Sequence, residues 1–109
     1  MKVIKELETK NSRQLRHHFV QGRDSRFYKV LTFQLYDRQP PREFPNFEVN
    51  IQKVFENGSF KELVVPYLKR FFKKEEALIH HDSLLEKMDE LLNLEEPKTH
   101  KKEEKAADH

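Results

Sequence analysis

Two histidine pairs are the residues best equipped for chemistry in this 109-residue chain: His17-His18, and His80-His81 followed by Asp82-Ser83. They supply the residue types of a metal centre or of a Ser-His-Asp site. Neighbours on a helix diverge by roughly 100°, so neither pair can chelate alone as an i, i+4 pair could. A metal site would require the fold to bring the two pairs together, and a triad is a meeting in space rather than in sequence. There is no Gly-x-Ser-x-Gly elbow, and Gly22 and Gly58 are the only glycines, too few for a phosphate-cradling loop. The chain has no cysteine, which removes disulfides, thiolate catalysis and Cys-based zinc sites. The sequence therefore predicts no enzyme, no metal and no cofactor.

The charges carry more information. Residues 1–74 hold 16 Lys and Arg against 8 Asp and Glu, a formal +8, whereas 75–109 hold 5 Lys against 11 acids, a formal −6. The total of +2 conceals this split. A basic body with an acidic C-terminal part is a composition suited to meeting polyanions or competing with them. Arg13, Arg16, Arg23 and Arg26 cluster early, and Lys69, Arg70, Lys73 and Lys74 follow Pro66. If that second stretch is helical, Lys69/Lys73 and Arg70/Lys74 are repelling i, i+4 pairs that a phosphate partner would neutralise. About four phosphate contacts would give a log–log salt slope near −3.6. The competing interpretation is a solvated face balanced by Glu75, Glu76 and the acids beyond.

These residues need elements to position them. The length suits one domain, assigned to 1–94, with 95–109 expected as a disordered charged tail beyond the last apolar stripe. Asn11-Ser12 offers an N-cap for a helix through Leu15, Phe19 and Val20 that stops at Gly22. Arg26 to Asp37 and Phe47 to Phe55 alternate with period two and predict strands, with a stiff proline-rich loop between them. Phe27, Leu31 and Phe33 share one parity of the first. Tyr28 and Tyr36 lie on the other, set too far apart for neighbouring bases to stack on both; a covering helix is expected there instead. Asn57-Gly58 predicts a hairpin turn into a third strand, Phe60 to Val65, with Pro66 opening a helix. His80 to Ser83 interrupts that helix, and Ser83-Leu84-Leu85-Glu86 starts another, running to Leu94. The expected fold is thus α+β: a small antiparallel sheet of three to four strands packed on helices, in the order (β)-α-β-β-β-α-α. The first residues are charged where a signal peptide is apolar, and the longest apolar run, Leu63 to Leu68, is far short of a membrane span. A cytoplasmic location without membrane contact is the expectation.

The opening Met1-Lys2-Val3-Ile4, the helix start Asn11-Ser12-Arg13 and the strand through Lys29-Val30 resemble short uncharacterised proteins of lactic-acid bacteria and their relatives. The order α-β-β-β-α from Asn11 to Ile79 also resembles that of double-stranded-RNA-binding domains, without their glycine-rich approach to the final helix or their alanine-packed basic helix start. Neither resemblance implies a functional residue. Two functions follow from the residues themselves. One is a non-catalytic protein-interaction adaptor or regulator. It would act as a monomer or as a homodimer through the C-terminal helix, and would use Pro40, Pro41 and Phe44 or the stripe Leu85, Met88 and Leu92. The other is nucleic-acid binding through the cations named above, with the acidic C-terminal segment as modulator.

Overall fold

The computed structural model describes residues 1–38, 44–61 and 64–97. Five strands, β1 (Lys2–Glu6), β2 (Gln14–Gln21), β3 (Phe27–Gln34), β4 (Phe47–Val54) and β5 (Tyr67–Phe71), precede one helix, α1 (Lys74–Leu91). The strands form a single antiparallel meander in chain order, β1-β2-β3-β4-β5. The expected (β)-α-β-β-β-α-α order is therefore overturned. Among the described residues there are five strands and one α-helix.

Three segments depart from expectation, each for a physical reason. The stretch expected as the first helix is β2. Phe19 and Val20 are adjacent and both buried, which a strand achieves by sending them to opposite faces of the sheet. Gly22 does not cap a helix; it begins the tight β2–β3 turn, accepting from Ser25 N–H and donating to the Arg26 carbonyl, each at 2.9 Å. A Cβ on Gly22 would lie 2.7 Å from both Asp24 Oδ1 and Leu94 Cδ1, so a side chain there would push aside the ends of both.

After Asn57-Gly58 the chain does turn, with Gly58 at φ +88 and Asn57 Oδ1 accepting from Ser59 N–H at 2.9 Å. Only an isolated bridge, Val54 to Phe60, follows, and residues 62 and 63 lie outside the described residues. The residues after Pro66, expected as helix, are β5: Tyr67 and Phe71 point one way, Leu68 and Arg70 the other, and the whole strand pairs with β4. Lys69 and Arg70 are thus strand residues, and their expected i, i+4 repulsion with Lys73 and Lys74 does not arise.

The third departure is continuity: α1 runs unbroken through His80 to Ser83, over about 27 Å. His81 does not interrupt it because its ring is fully buried and hydrogen-bonded to the sheet, while Asp82 points outward to Arg16. The helix ends where Asn93 adopts φ 55, and Leu94 N–H closes back on the Asp89 carbonyl at 2.9 Å.

The core lies between α1 and one sheet face: Val20, Tyr28, Val30, Val49 and Ile51 from the strands meet Ala77, Leu84 and Met88 from the helix. Tyr28 is completely enclosed, its hydroxyl donating to Asp24 Oδ2 at 2.7 Å. The helix covers the Tyr28 parity of β3, which leaves Phe27, Leu31 and Phe33 on the opposite face. No helix of the described chain is long and apolar enough to cross a membrane.

Candidate nucleic-acid interface

The fold brings one histidine of each pair together. His18 Nδ1 lies 2.9 Å from His81 Nε2, and Thr32 Oγ1 lies 2.7 Å from His81 Nδ1. With both rings neutral the chain can run in either direction, and the one that also turns an N–H toward Glu6 has Thr32 O–H donating to His81 Nδ1 and His81 Nε2–H donating to His18 Nδ1. The remaining His18 Nε2–H then faces Glu6 Oε1, 3.9 Å away. Burial, then the neighbouring His18 and Arg16, push His81 down to about 3. Burial also lowers His18, against the opposing pull of Glu6. The inner lone pairs are used within the protein, and no cluster of three metal-ligating groups occurs among the described residues.

The other members of the pairs go elsewhere. His80 receives or donates at Tyr67 Oη (2.6 Å), stacks on the Tyr67 ring and meets the Phe71 ring at a tilt. His17, one step along β2 from His18, turns to the opposite face. It is buried with neither ring nitrogen hydrogen-bonded among the described residues, and burial, then Lys29 and Lys10, lower it to about 4. No Ser-His-Asp geometry results from these placements, because His81 is engaged by Thr32 and His18, and Asp82 by Arg16.

The eight expected phosphate-binding cations are not gathered into one patch. Arg16 pairs with Asp82 of α1. Arg23 reaches Glu90 at 3.6 Å and the Leu94 carbonyl, and its backbone N–H donates to Asp89 Oδ1. Lys69 lies on the helix side near His80, above the Phe71 ring. Lys73 and Lys74 stand at the head of α1, and Arg26 in the β2–β3 turn. Arg13 and Arg70 alone adjoin the face away from the helix, held by Asp37 (3.5 Å) and Glu48 (3.0 Å). The proposed protein-docking stripe is also displaced: Met88 is wholly inside, and Leu85 and Leu92 pack against the core. Phe44 is 56% exposed, and Pro40 and Pro41 lie outside the described residues.

A different arrangement stands on the sheet face that α1 leaves uncovered. Across the strands, Lys5 aligns with Phe19, Phe19 with Lys29, and Lys29 with Gln52. His17 aligns with Leu31, and Leu31 with Asn50; Phe33 aligns with Glu48, and Glu48 with Arg70. Along β3 this face reads Phe27, Lys29, Leu31, Phe33, a cation set between aromatic and aliphatic groups. Phe19 and Phe27 stack with centroids 5.7 Å apart, and Lys29 Nζ lies 5.3 Å from the Phe60 ring. Lys2 and Lys5 of β1 join the same side. Lys10 is close enough to depress both His17 and Lys29. None of Lys2, Lys5, Lys10 and Lys29 has a carboxylate within 4.0 Å among the described residues. The carboxylate of this face in β4, Glu48, is buried and neutralised by Arg70.

The acidic part of the sequence lies behind the sheet. Helix α1 carries six carboxylates and two lysines. Part of the basic segment is paired with this helix, through Arg16 and Arg23, while Lys2, Lys5 and Lys29 lie on the opposite side of the sheet. The sequence reading does not single out Lys2, Lys5, Asn50 or Gln52; the alternation Phe27-Lys29-Leu31-Phe33 is the available signal. Comparison with family models, with curated proteins and with solved structures gives no significant match to this chain.

Proposed function

We propose that the sheet face opposite α1 binds single-stranded nucleic acid. The observation that carries this reading is the half-buried row Phe27, Lys29, Leu31, Phe33 on the face away from α1, flanked by Lys2, Lys5 and Lys10 and backed by an acidic helix. Open antiparallel sheets bind single strands by stacking bases on aromatic side chains while cations follow the phosphates. Phe27 and Phe33 stand about 20 Å apart along β3, so bases on the two belong to non-adjacent nucleotides. A single strand suits this face better than a duplex, whose bases are stacked and closed to the phenylalanines. The acidic helix repels phosphate from the far side and orients the approach of the strand. Docking of a protein on Leu85, Met88 and Leu92 has less support, since it would require opening the core.

The test is fluorescence anisotropy with a labelled oligo(dT) at several salt concentrations. About three phosphate contacts on a single strand give a log–log slope near −2. Lys2→Glu with Lys5→Glu should weaken binding at least tenfold, while Lys73→Glu with Lys74→Glu, at the head of the helix, should leave it near wild type. Equal losses from both pairs, or no binding by the wild type at low salt, would refute the assignment.

A further inference from the structure

The open face holds buried acceptors with nothing to accept. Asn50 is 4% exposed, and its Oδ1 has no hydrogen-bond partner among the described residues; Gln52 Oε1, two residues along β4 on the same face, likewise has none among them. The Asn50 amide is not free to rotate and exchange its ends. Its Nδ2 donates to Glu48 Oε2 at 2.9 Å, and Glu48 Oε1 is held by Arg70 Nε at 3.0 Å. The relay Arg70–Glu48–Asn50 therefore fixes which end of the amide is left unpaired: the carbonyl oxygen. Polar groups buried without partners are rare in folded proteins and call for an explanation, such as a ligand.

Both residues line a shallow cavity of about 210 Å³, together with Leu31 and Phe33, and with Arg13 and Gln14 from the start of β2. That gives an apolar floor able to take the face of a planar ring, beside one fixed acceptor, Asn50 Oδ1, and a second amide, Gln52, whose oxygen is also unpaired and can turn to take an N–H donor from the ring edge. Among the nucleobases, guanine presents two adjacent donors on one edge, its ring N1–H and its 2-amine. Adenine and cytosine set one amine beside an acceptor, and thymine sets one N–H between two carbonyls. A site made of acceptors pairs fully with the first pattern and leaves a clash of lone pairs with the others.

We infer that this cavity is a guanine subsite, in which Asn50 and Gln52 accept from the base edge while the ring rests on Leu31 and Phe33. The inference rests on the single-strand reading of the same face, and adds base selectivity to it. His17 lies on the same row across the sheet as Leu31 and Asn50, and extends the set of unpartnered groups toward β1.

The experiment compares a labelled twelve-nucleotide oligo(dT) with the same strand carrying one central dG, deoxyinosine, dA or dC. The dG strand should bind about tenfold tighter than oligo(dT), a typical discrimination for a two-bond contact. Deoxyinosine, which keeps N1–H and lacks the 2-amine, should lose most of that gain, and dA and dC should show none. Asn50→Ala should bind all five strands at the oligo(dT) level. Because Asn50 is buried, Gln52→Met serves as the second variant, with the same expected loss of preference and native circular dichroism. Wild-type protein binding all five strands equally, or preferring dA or dC, would overturn the guanine subsite and leave the single-strand interface standing. Absence of binding to any strand would overturn both.

Discussion

His17→Leu isolates the cost of keeping a neutral imidazole inside the sheet. His17 sits in the middle of β2, 6% exposed, with neither ring nitrogen hydrogen-bonded among the described residues, so a leucine of similar bulk removes no hydrogen bond seen there. Burial first, and the charges of Lys29 and Lys10 next, lower its pKa in the fold from 6.5 to about 4. Between those values the unfolded chain takes up a proton that the folded chain refuses. Its contribution is therefore fully present above pH 6.5, falls as the pH drops toward 4, and changes no further below that. Between pH 7 and pH 5 the loss from this residue is about 2 kcal/mol. His81, lowered to about 3, contributes a similar loss that the variant retains. Urea unfolding at pH 7 and pH 5 measures the difference. The wild type should lose about 2 kcal/mol more than His17→Leu, a shift of roughly 1–2 M in relative midpoint at the m-value of a chain this size. At pH 7 the variant should match or exceed the wild type, because an orphaned buried polar group costs about 1–3 kcal/mol. Identical losses in the two proteins would refute the assignment of a buried, unprotonated His17. A large destabilisation at pH 7 would mean that the ring has a partner.

Three further substitutions probe other parts of the argument. Met88→Ala should destabilise by about 2–5 kcal/mol in thermal or urea unfolding, since the side chain is wholly enclosed between α1 and the sheet; a neutral result would return that stripe to the surface. Gly22→Ala should cost about 1–3 kcal/mol, because the added methyl meets Asp24 and Leu94, and a tolerated alanine would contradict the packing of the helix end on the β2–β3 turn. Thr32→Val removes the hydroxyl beside His81 and should lower stability by about 1–3 kcal/mol at pH 7, with no loss of oligonucleotide binding, as Thr32 lies on the helix side. Weakened binding in that variant would link the histidine chain to the open face.

Period-two alternation was the most transferable signal. It marked β3 and β4 within a few residues because a strand with one face in the core must repeat every second position. It could not say which face of β3 is inside, since Tyr28, Val30 and Thr32 are as suited to burial as Phe27, Leu31 and Phe33. That was decided by the register with β4, where Val30 and Thr32 lie opposite Ile51 and Val49 under α1. The segments 14–21 and 67–71 carry apolar spacing that fits a helix as well as a strand, and hydrogen bonds to partners far along the chain resolved them. The break expected at His80 to Ser83 failed because Thr32 and His18, distant in sequence, receive the His81 ring.

The candidate site divides in the same way. The order of residues alone established that cations and acids are segregated along the chain, and composition that it holds no cysteine and two glycines. Which cations lie near one another was decided by pairing. Arg16 and Arg23 are tied to the helix by carboxylates 66 or 67 residues away, whereas Lys5, Lys29 and the phenylalanines, on three different strands, share a face because the meander sets them in register. The unpaired oxygens of Asn50 and Gln52 have no sequence signature at all. An amide becomes an orphan only when folding has removed it from water and placed no donor beside it, and that is a property of the packed chain.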